Sequence, residues 1–155
     1  MAEESIIVTV ANTETGVEKD FDLKYESNPD SLKETINEEL ATDNWLVVEY
    51  TYPDGMCFDK GNHDLENALE WQHAIKKHGT EIAVAAFIAG CEPSSINFLE
   101  SHDSWVTKAQ QAVEDHEFSM DELYRYIDWD TMANDMRSVN QHLLAEFDDR
   151  IYLFA

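Results

Sequence analysis

The side chains in this sequence that can do chemistry are six histidines and two cysteines among a large number of carboxylates. A zinc site of the H-E-x-x-H kind needs two histidines four residues apart on one helix face. No two histidines have this spacing, and His73 and His78, five residues apart, would diverge on a helix. We therefore interpret the histidines as solvated or packing residues, at positions 63, 73, 78, 102, 116 and 142.

Carboxylates are the other candidates for chemistry. Asp128 and Asp130 have a spacing that could serve acid–base catalysis, but close pairs arise by chance in a chain with 33 Asp and Glu residues. The loop from Asp54 to Asp64 carries acids and glycines, yet it lacks the ligand order and closing Glu of a calcium loop. There is also no glycine-rich phosphate loop and no G-x-S-x-G motif. The sequence therefore predicts no enzyme, no metal site and no cofactor.

The cysteines and the apolar segments bear on where in the cell the protein acts. Cys57 and Cys91 form no C-x-x-C motif, which is typical of inert thiols in a reducing cytosol. The first ten residues, MAEESIIVTV, lack the basic and long apolar regions of a signal peptide. The longest apolar run, residues 82–89, is much shorter than a membrane span. We expect a cytoplasmic protein that does not enter a membrane.

Net charge is the most unusual property of the chain. It has 33 acids against 10 lysines and arginines, a net charge of −23, whereas a small domain usually carries a magnitude of about 2–8. The acids number 13 in residues 1–50, 8 in 51–100 and 12 in 101–155. They are therefore a property of the whole surface and not of a tail. Without a basic stripe, direct binding to nucleic acid or to anionic membranes is disfavoured.

The sequence predicts a β-β-α-β unit at the start of the chain. This unit is the N-terminal lobe, residues 1–60. Residues 5–11 are β-branched, and residues 17–23 alternate apolar and acidic side chains, so both predict strands. Asn28 and Pro29 are typical of a helix start, and this helix should reach about Ala41. Residues 45–51 predict the third strand.

Helices dominate the predicted middle lobe, residues 61–100. An amphipathic helix begins near Leu65 and ends at Gly79, and an apolar helix follows over residues 81–89. We expect Ser94 to begin another short helix that carries Ile96, Phe98 and Leu99.

An acidic C-terminal α+β lobe is predicted over residues 101–155. Its helices should begin at Asp103 or Ser104, at the capping box of residues 119–122, and at Asp128. Residues 150–154 predict a final strand. The fold class is therefore α+β, an elongated chain of small lobes.

Three accounts of the charge remain open from the residues alone: adaptation to high salt, an acidic adaptor for a basic partner, and mimicry of DNA. B-DNA carries one charge per about 1.7 Å of axis, so a surplus of 23 corresponds to roughly 39 Å of duplex. Carboxylates three or four residues apart on a helix lie about 5–6 Å apart, a usable grid for lysines and arginines of a partner. The net charge alone does not distinguish salt adaptation, an acidic adaptor and DNA mimicry.

Five segments follow one another along nearly the whole chain: the strands IIVTVAN and VVEYTYP, the acidic segment FLESHDSWVTKAQQAVED, the helix YRYIDWDTMANDMRS and the end DDRIYLFA. Together, and in this order, they resemble the ArdA antirestriction family. The family's closing helix has the form Y-x-D-x-x-x-x-A-x-D-[LM], matched by Tyr126, Asp128, Ala133, Asp135 and Met136. Two features depart from the family: a short first strand connection without Y-N-x-G, and an insertion-like segment at residues 138–147.

This resemblance implies a bacterial cytoplasmic homodimer whose acidic face imitates bent B-form DNA. Such a protein fills the DNA-binding channel of type I restriction–modification enzymes, without catalysis or cofactor. Outward acids would stand in for phosphates: Glu100, Asp103, Glu114, Asp115, Glu117, Asp121, Glu122, Asp130 and Asp135, extended by Glu18, Asp20 and Asp22. An apolar seam would join the dimer: Ile82, Phe87, Ile88, Ile96, Phe98 and Leu99. The alternatives are an acidic inhibitor or adaptor of another DNA-binding defence enzyme, such as a CRISPR effector, or a salt-adapted domain.

Overall fold

The structure, a computed structural model, describes residues 4–115 and 127–155 and is α+β, as predicted. The predicted capping box of residues 119–122 lies outside this part. The described residues form two three-stranded antiparallel sheets and five α-helices. The strands are β1 Ile7–Asn12, β2 Glu18–Asp22, β3 Trp45–Thr51, β4 Phe98–His102, β5 Leu143–Phe147 and β6 Arg150–Phe154. The helices are α1 Pro29–Leu40, α2 Leu65–His78, α3 Thr80–Ala89, α4 Trp105–Glu114 and α5 Trp129–Ser138.

The first sheet has the strand order β2-β1-β3 and two chemically different faces. On the core face, Val8 of β1 pairs with Phe21 on one side and Tyr50 on the other, and all three are buried. On the outer face, Thr9 pairs with Asp20 and Glu49. Alternation of side chains along each strand thus separates the hydrophobic core from an acidic surface.

Helix α1 covers the core face of this sheet and begins as the sequence predicts. The backbone N–H of Ser31 donates to Asn28 Oδ1 at 2.8 Å, and Pro29 occupies the first turn. The buried side chains of α1, at Leu32, Ile36 and Leu40, recur every four residues and join the core. The predicted β-β-α-β unit is therefore confirmed.

The loop after β3 is fixed to the free edge of that strand by Asn62. Its Oδ1 accepts from the Val47 backbone N–H at 2.8 Å, and its Nδ2 donates to the Trp45 carbonyl at 3.2 Å. Gly61 adds a backbone bond to Val47 O at 3.1 Å, and the Tyr50 hydroxyl donates to Gly61 O at 2.8 Å. A side-chain amide and one glycine thus supply, at Trp45 and Val47, hydrogen bonds that a fourth strand would make.

Helices α2 and α3 extend the same core instead of forming a separate one. The Phe87 ring of α3 lies 5.1 Å from Trp71 of α2 and 5.8 Å from Phe58, centroid to centroid, in edge-to-face geometry. Gly79 separates the two helices, as predicted, and its N–H bonds to Ile75 O at 2.8 Å. No described helix has both the length and the apolar character to cross a membrane; apolar α3 has only 10 residues.

The second sheet has the order β4-β6-β5 and corrects one prediction. Phe98 and Leu99 lie in strand β4, so the helix predicted to begin at Ser94 and to carry them is wrong. Phe98 pairs with Phe154 of β6, which pairs on its other side with Leu143 of β5. A short apolar run is compatible with either a helix or a strand. Here pairing with β6, more than 50 residues away in sequence, makes it a strand.

Strand β6 connects two layers. Tyr152 and Phe154 belong to the main buried cluster, whereas Ile151 and Leu153 are equally buried but alternate to the opposite face. The main cluster contains residues of all three predicted lobes, from Ile6 to Phe154. The division into lobes at residues 60 and 100, and their elongated arrangement, stay predictions.

Helices α4 and α5 pack against each other next to the second sheet. Ser104 caps α4 by accepting the Thr107 N–H at 3.1 Å, and Asp128 caps α5 by accepting the Thr131 N–H, also at 3.1 Å. Both starts agree with the predicted ones. The caps fix two short helices whose remaining faces carry carboxylates.

Candidate partner-binding surface

The surplus of negative charge is held at the surface. In residues 4–115 and 127–155, no Asp or Glu is buried. All of them are exposed except four half-buried residues: Asp22, Glu26, Asp64 and Glu100. Folding therefore leaves the carboxylates solvated, and their mutual repulsion is screened only by water, salt and nearby cations.

Most of the described cations are already engaged with carboxylates of the same chain. The ion pairs are Lys19–Glu39, Lys24–Asp22, Lys33–Glu66, Lys108–Glu100, Arg137–Glu146 and Arg150–Asp103. Lys76 and Lys77 lie in the last turn of α2, where the helix dipole favours positive charge. In the described parts of the chain, an external cation therefore meets a surface where few lysines or arginines oppose it.

The predicted acids Glu18, Asp20 and Asp22 share the outer face of edge strand β2. Their spacing of two residues repeats about every 6.8 Å along the strand. Asp20 accepts from Thr9 Oγ1 at 2.6 Å, while Asp22 accepts from Ser5 Oγ at 3.0 Å and from the Lys24 N–H at 3.1 Å. The strand backbone fixes the spacing of these three acids. At Asp22, the charge is partly compensated by the ion pair with Lys24.

Glu49 of β3 adds a carboxylate to this face that we did not predict. Thr9 of the central strand pairs with Asp20 on one side and Glu49 on the other. With strands about 4.8 Å apart, the two carboxylate-bearing residues lie about 10 Å apart across the sheet. The signal was present in WLVVEYT, residues 45–51, where Glu49 is the only charged residue.

Glu100 and Asp103 are neutralised within the chain. The Glu100 carboxylate bonds to Lys108 Nζ and lies 3.1 Å from His102 Nε2. The hydrogen bond from Lys108 is the main cause that lowers the pKa of Glu100 below its usual value, and the nearby His102 lowers it further. Asp103 bonds to the Arg150 guanidinium, which also donates to Ser101 Oγ at 3.2 Å. Both predicted partner-binding acids thus already have a cation of the same chain as a partner.

The other described acids of the C-terminal region are exposed on α4 and α5. Glu114 and Asp115 end α4, where Asp115 Oδ1 accepts from Gln111 Nε2 at 2.8 Å. Asp130 and Asp135 are exposed on α5. No cation in the described ranges forms an ion pair with any of these four. The predicted residues Glu117, Asp121 and Glu122 lie outside the described residues.

The residues predicted for a dimer seam divide into two groups. Ile82, Phe87 and Ile96 are partly buried against the main core of the same chain, so they contribute to the fold itself. Ile88, Phe98 and Leu99 remain exposed by 40%, 38% and 45%. Only the second group offers apolar surface to another molecule.

One loop groups side chains of the kind that bind metal ions. Asp59, His63 and Asp64 each offer a ligand atom within 4.8 Å of the others. Asp64 Oδ2 already accepts the Asp59 backbone N–H at 2.7 Å. Asp59 and His63 are exposed and Asp64 is half-buried. These are the residues of the described chain that could hold a divalent ion, and sequence spacing alone did not group them.

Comparison of the chain with protein-family models, with curated proteins and with solved structures gives no match.

Proposed function

We propose that the protein is an antirestriction inhibitor that imitates B-form DNA and occupies the DNA-binding channel of a type I restriction–modification enzyme in the bacterial cytoplasm. The observation that supports this proposal best is the disposition of charge. Every described carboxylate reaches the surface, and the carboxylates of β2, α4 and α5 stand on regular backbone. The sequence resemblance to the ArdA family supplies the class of target.

A rigid scaffold gives such an inhibitor an energetic advantage over an acidic tail. A disordered segment must be ordered when it binds, which lowers its affinity per unit of interface. Carboxylates on β2 and on short capped helices are ordered beforehand. They can form ion pairs with the lysines and arginines that hold DNA phosphates, so the inhibitor and DNA compete for one channel.

The internal ion pairs narrow the set of residues that would contact the enzyme. Three of the predicted acids, Glu100, Asp103 and Asp22, already have cationic partners. Each would have to break its internal ion pair to contact the enzyme, so its contact would contribute less binding free energy. The binding set in the described chain is therefore Glu18, Asp20, Glu49, Glu114, Asp115, Asp130 and Asp135. No residue in this function is catalytic.

We also propose that the inhibitor is a homodimer, with Phe98 and Leu99 as the exposed part of its seam, since Ile88 lines a separate cleft. A dimer would double the length of acidic surface along the channel. Native mass spectrometry at micromolar concentration should give twice the mass of 17.8 kDa. A monomer under these conditions would remove the dimer from the proposal while leaving the inhibition untouched.

A competition assay tests the main proposal: a type I enzyme and its labelled DNA, with this protein titrated at several salt concentrations. Mimicry predicts mutual exclusion of DNA and protein, with an affinity that falls as salt rises. An acidic adaptor would bind without displacing DNA, and a salt-adapted domain would not inhibit and would unfold in low salt. If a type I enzyme is unaffected and a CRISPR effector is inhibited in the same assay, the target class must change.

A further inference from the structure

A cleft of about 420 Å³ lies between the turn of residues 53–55 that follows β3, helix α3 and the β5–β6 turn. Its rim carries four exposed carboxylates that are far apart in sequence: Glu4, Asp54, Glu81 and Asp148. Its volume lies within the range of roughly 300–1,000 Å³ found for sites that bind small groups. Neither the sequence analysis nor the proposed function uses these four acids.

Apolar residues also line the cleft. They are Pro53, Val84, Ile88 and Phe147, of which Ile88 is 40% exposed. Apolar lining beside four carboxylates matches an amphipathic cation, a side chain with an aliphatic stem and a charged head. Simple solvation of acids does not require such a lining.

The walls of the cleft are fixed by contacts from three parts of the chain. The Glu4 N–H donates to Thr80 Oγ1 at 3.1 Å, and the Tyr152 hydroxyl donates to Glu81 Oε1. Phe147 stacks on Tyr152 with ring centroids 4.8 Å apart. The Glu4 backbone and the Glu81 carboxylate are therefore held before binding, which lowers the cost of ordering the site.

We propose that this cleft accepts an arginine side chain from the basic partner protein. The four carboxylates favour a cation, and the apolar lining favours a cation with a long apolar stem. Arginine fits better than lysine because its planar guanidinium is weakly hydrated, offers five donors to several carboxylates and can lie on the Phe147 ring. The inference rests on the proposed function in that it takes the partner to be a basic, DNA-binding protein.

The test is a titration of the ¹⁵N-labelled full chain with blocked peptides that contain arginine, lysine or citrulline at one position. Citrulline keeps the shape of arginine and removes its charge. We expect saturable shifts of the amide signals of Gly55, Ile88 and Phe147 with the arginine peptide. The lysine peptide should bind at least about threefold more weakly, and the citrulline peptide should give no saturable shift.

Two variants of equal charge separate the cleft from the general acidic field. Glu81→Gln with Asp148→Asn removes two rim charges. The amide oxygen of the introduced glutamine can still accept from the Tyr152 hydroxyl, and asparagine tolerates the positive φ of 53° at position 148. The control, Glu34→Gln with Glu38→Gln, removes two charges from the exposed face of α1. We expect at least about a tenfold loss of arginine-peptide affinity in the first and at most about twofold in the second.

Equal losses in both variants, or shifts that avoid the cleft, would overturn the proposal. So would tighter binding of spermidine at the same signals, because the cleft would then be a polyamine site. The titration contains no restriction enzyme. Failure of the peptide to bind therefore leaves the antirestriction proposal standing, and failure of the competition assay leaves the cleft result valid.

Discussion

Lys108 of α4 and Glu100 of β4 form a hydrogen-bonded ion pair across the turn that joins the two elements. Their side chains are 19% and 41% exposed. His102, two residues along β4, contacts the other carboxylate oxygen at 3.1 Å. This pair thus joins two elements of a chain in which most of the described acids are left exposed to solvent.

Replacing Lys108 by Met should raise the pKa of Glu100 toward its ordinary value, because the main hydrogen bond that lowers it is lost. A depressed pKa stabilises the fold above the unfolded-state pKa, and the contribution disappears as the pH falls through the folded-state pKa. The variant should thus be less stable at neutral pH, by about 0.5–1 kcal/mol for a half-exposed pair, and should approach the parent as the pH falls through the folded-state pKa.

Urea unfolding across this pH range, with NMR titration of the Glu100 carboxyl, measures both effects. Lys33→Met is the control, since it breaks the more exposed Lys33–Glu66 pair and removes the same charge. An unchanged Glu100 pKa in Lys108→Met would show that the pair does not form in solution.

Asn62→Ala should destabilise the protein by about 1–3 kcal/mol, because it leaves the buried Val47 N–H without its acceptor. Asn62→Asp keeps an acceptor for Val47 but replaces the donor to Trp45 O by a carboxylate oxygen, so its cost comes from the lost bond and from repulsion between the two oxygens. Hydrogen exchange at Val47 should accelerate in the alanine variant. If Val47 exchanges equally fast in both variants, Asn62 does not hold the edge of β3.

The helix and strand starts could be read from local chemistry. Asn28 followed by Pro29 fixes the beginning of α1, and Gly79 ends α2, because a cap or a helix end depends on residues next to it in sequence. The alternation in β2 likewise predicted which side of the first sheet is acidic. These features need no knowledge of distant partners.

The second sheet could not be read in the same way. Phe98 and Leu143 become strand residues because both flank Phe154 in the sheet, and the segment of residues 138–147 that looked like an insertion supplies β5. The pairing of Asp103 with Arg150 has the same origin, since β4 and β6 bring residues 47 positions apart together. Acids that are locally neutralised cannot be distinguished from available ones until that topology is known.

Gly55→Ala should destabilise more than Gly16→Ala. Both glycines have positive φ, 100° and 74°, so each alanine is strained by about 1–2 kcal/mol. A Cβ at position 55 would also lie 2.7 Å from Val84 Cγ1, whereas nothing lies within 4 Å at position 16. Thermal unfolding should show an additional loss of about 1–3 kcal/mol at position 55. Equal losses would mean that the turn does not rest on α3.

Tyr152→Phe should make stability less sensitive to alkali. Burial, and then the hydrogen bond to Glu81, raise the pKa of Tyr152 above its usual value. With a raised pKa, the stabilisation is complete below the unfolded-state value of about 10 and is lost as the pH rises through the folded-state value. The parent should therefore lose stability above about pH 10 more steeply than the variant.

Urea unfolding at about pH 8 and about pH 11 provides the comparison, and the variant should be less stable by about 1 kcal/mol at the lower pH. Tyr25→Phe is the control, because that side chain is 78% exposed. Parallel curves for the parent and Tyr152→Phe would contradict the buried, hydrogen-bonded hydroxyl.

The exposed acids of α4 and α5 should matter more for inhibition than equally exposed acids of other elements. Neutralising Glu114, Asp115, Asp130 and Asp135 together should weaken inhibition of a type I enzyme by about 10–100-fold, if each contact contributes about 0.5 kcal/mol, while any single change should cost about threefold or less. The matched control neutralises Glu34, Glu38, Glu70 and Glu92, which are also exposed. Circular dichroism would verify that both variants fold. Equal effects would indicate that only net charge acts, and abolition by one substitution would replace the distributed surface by a hot spot.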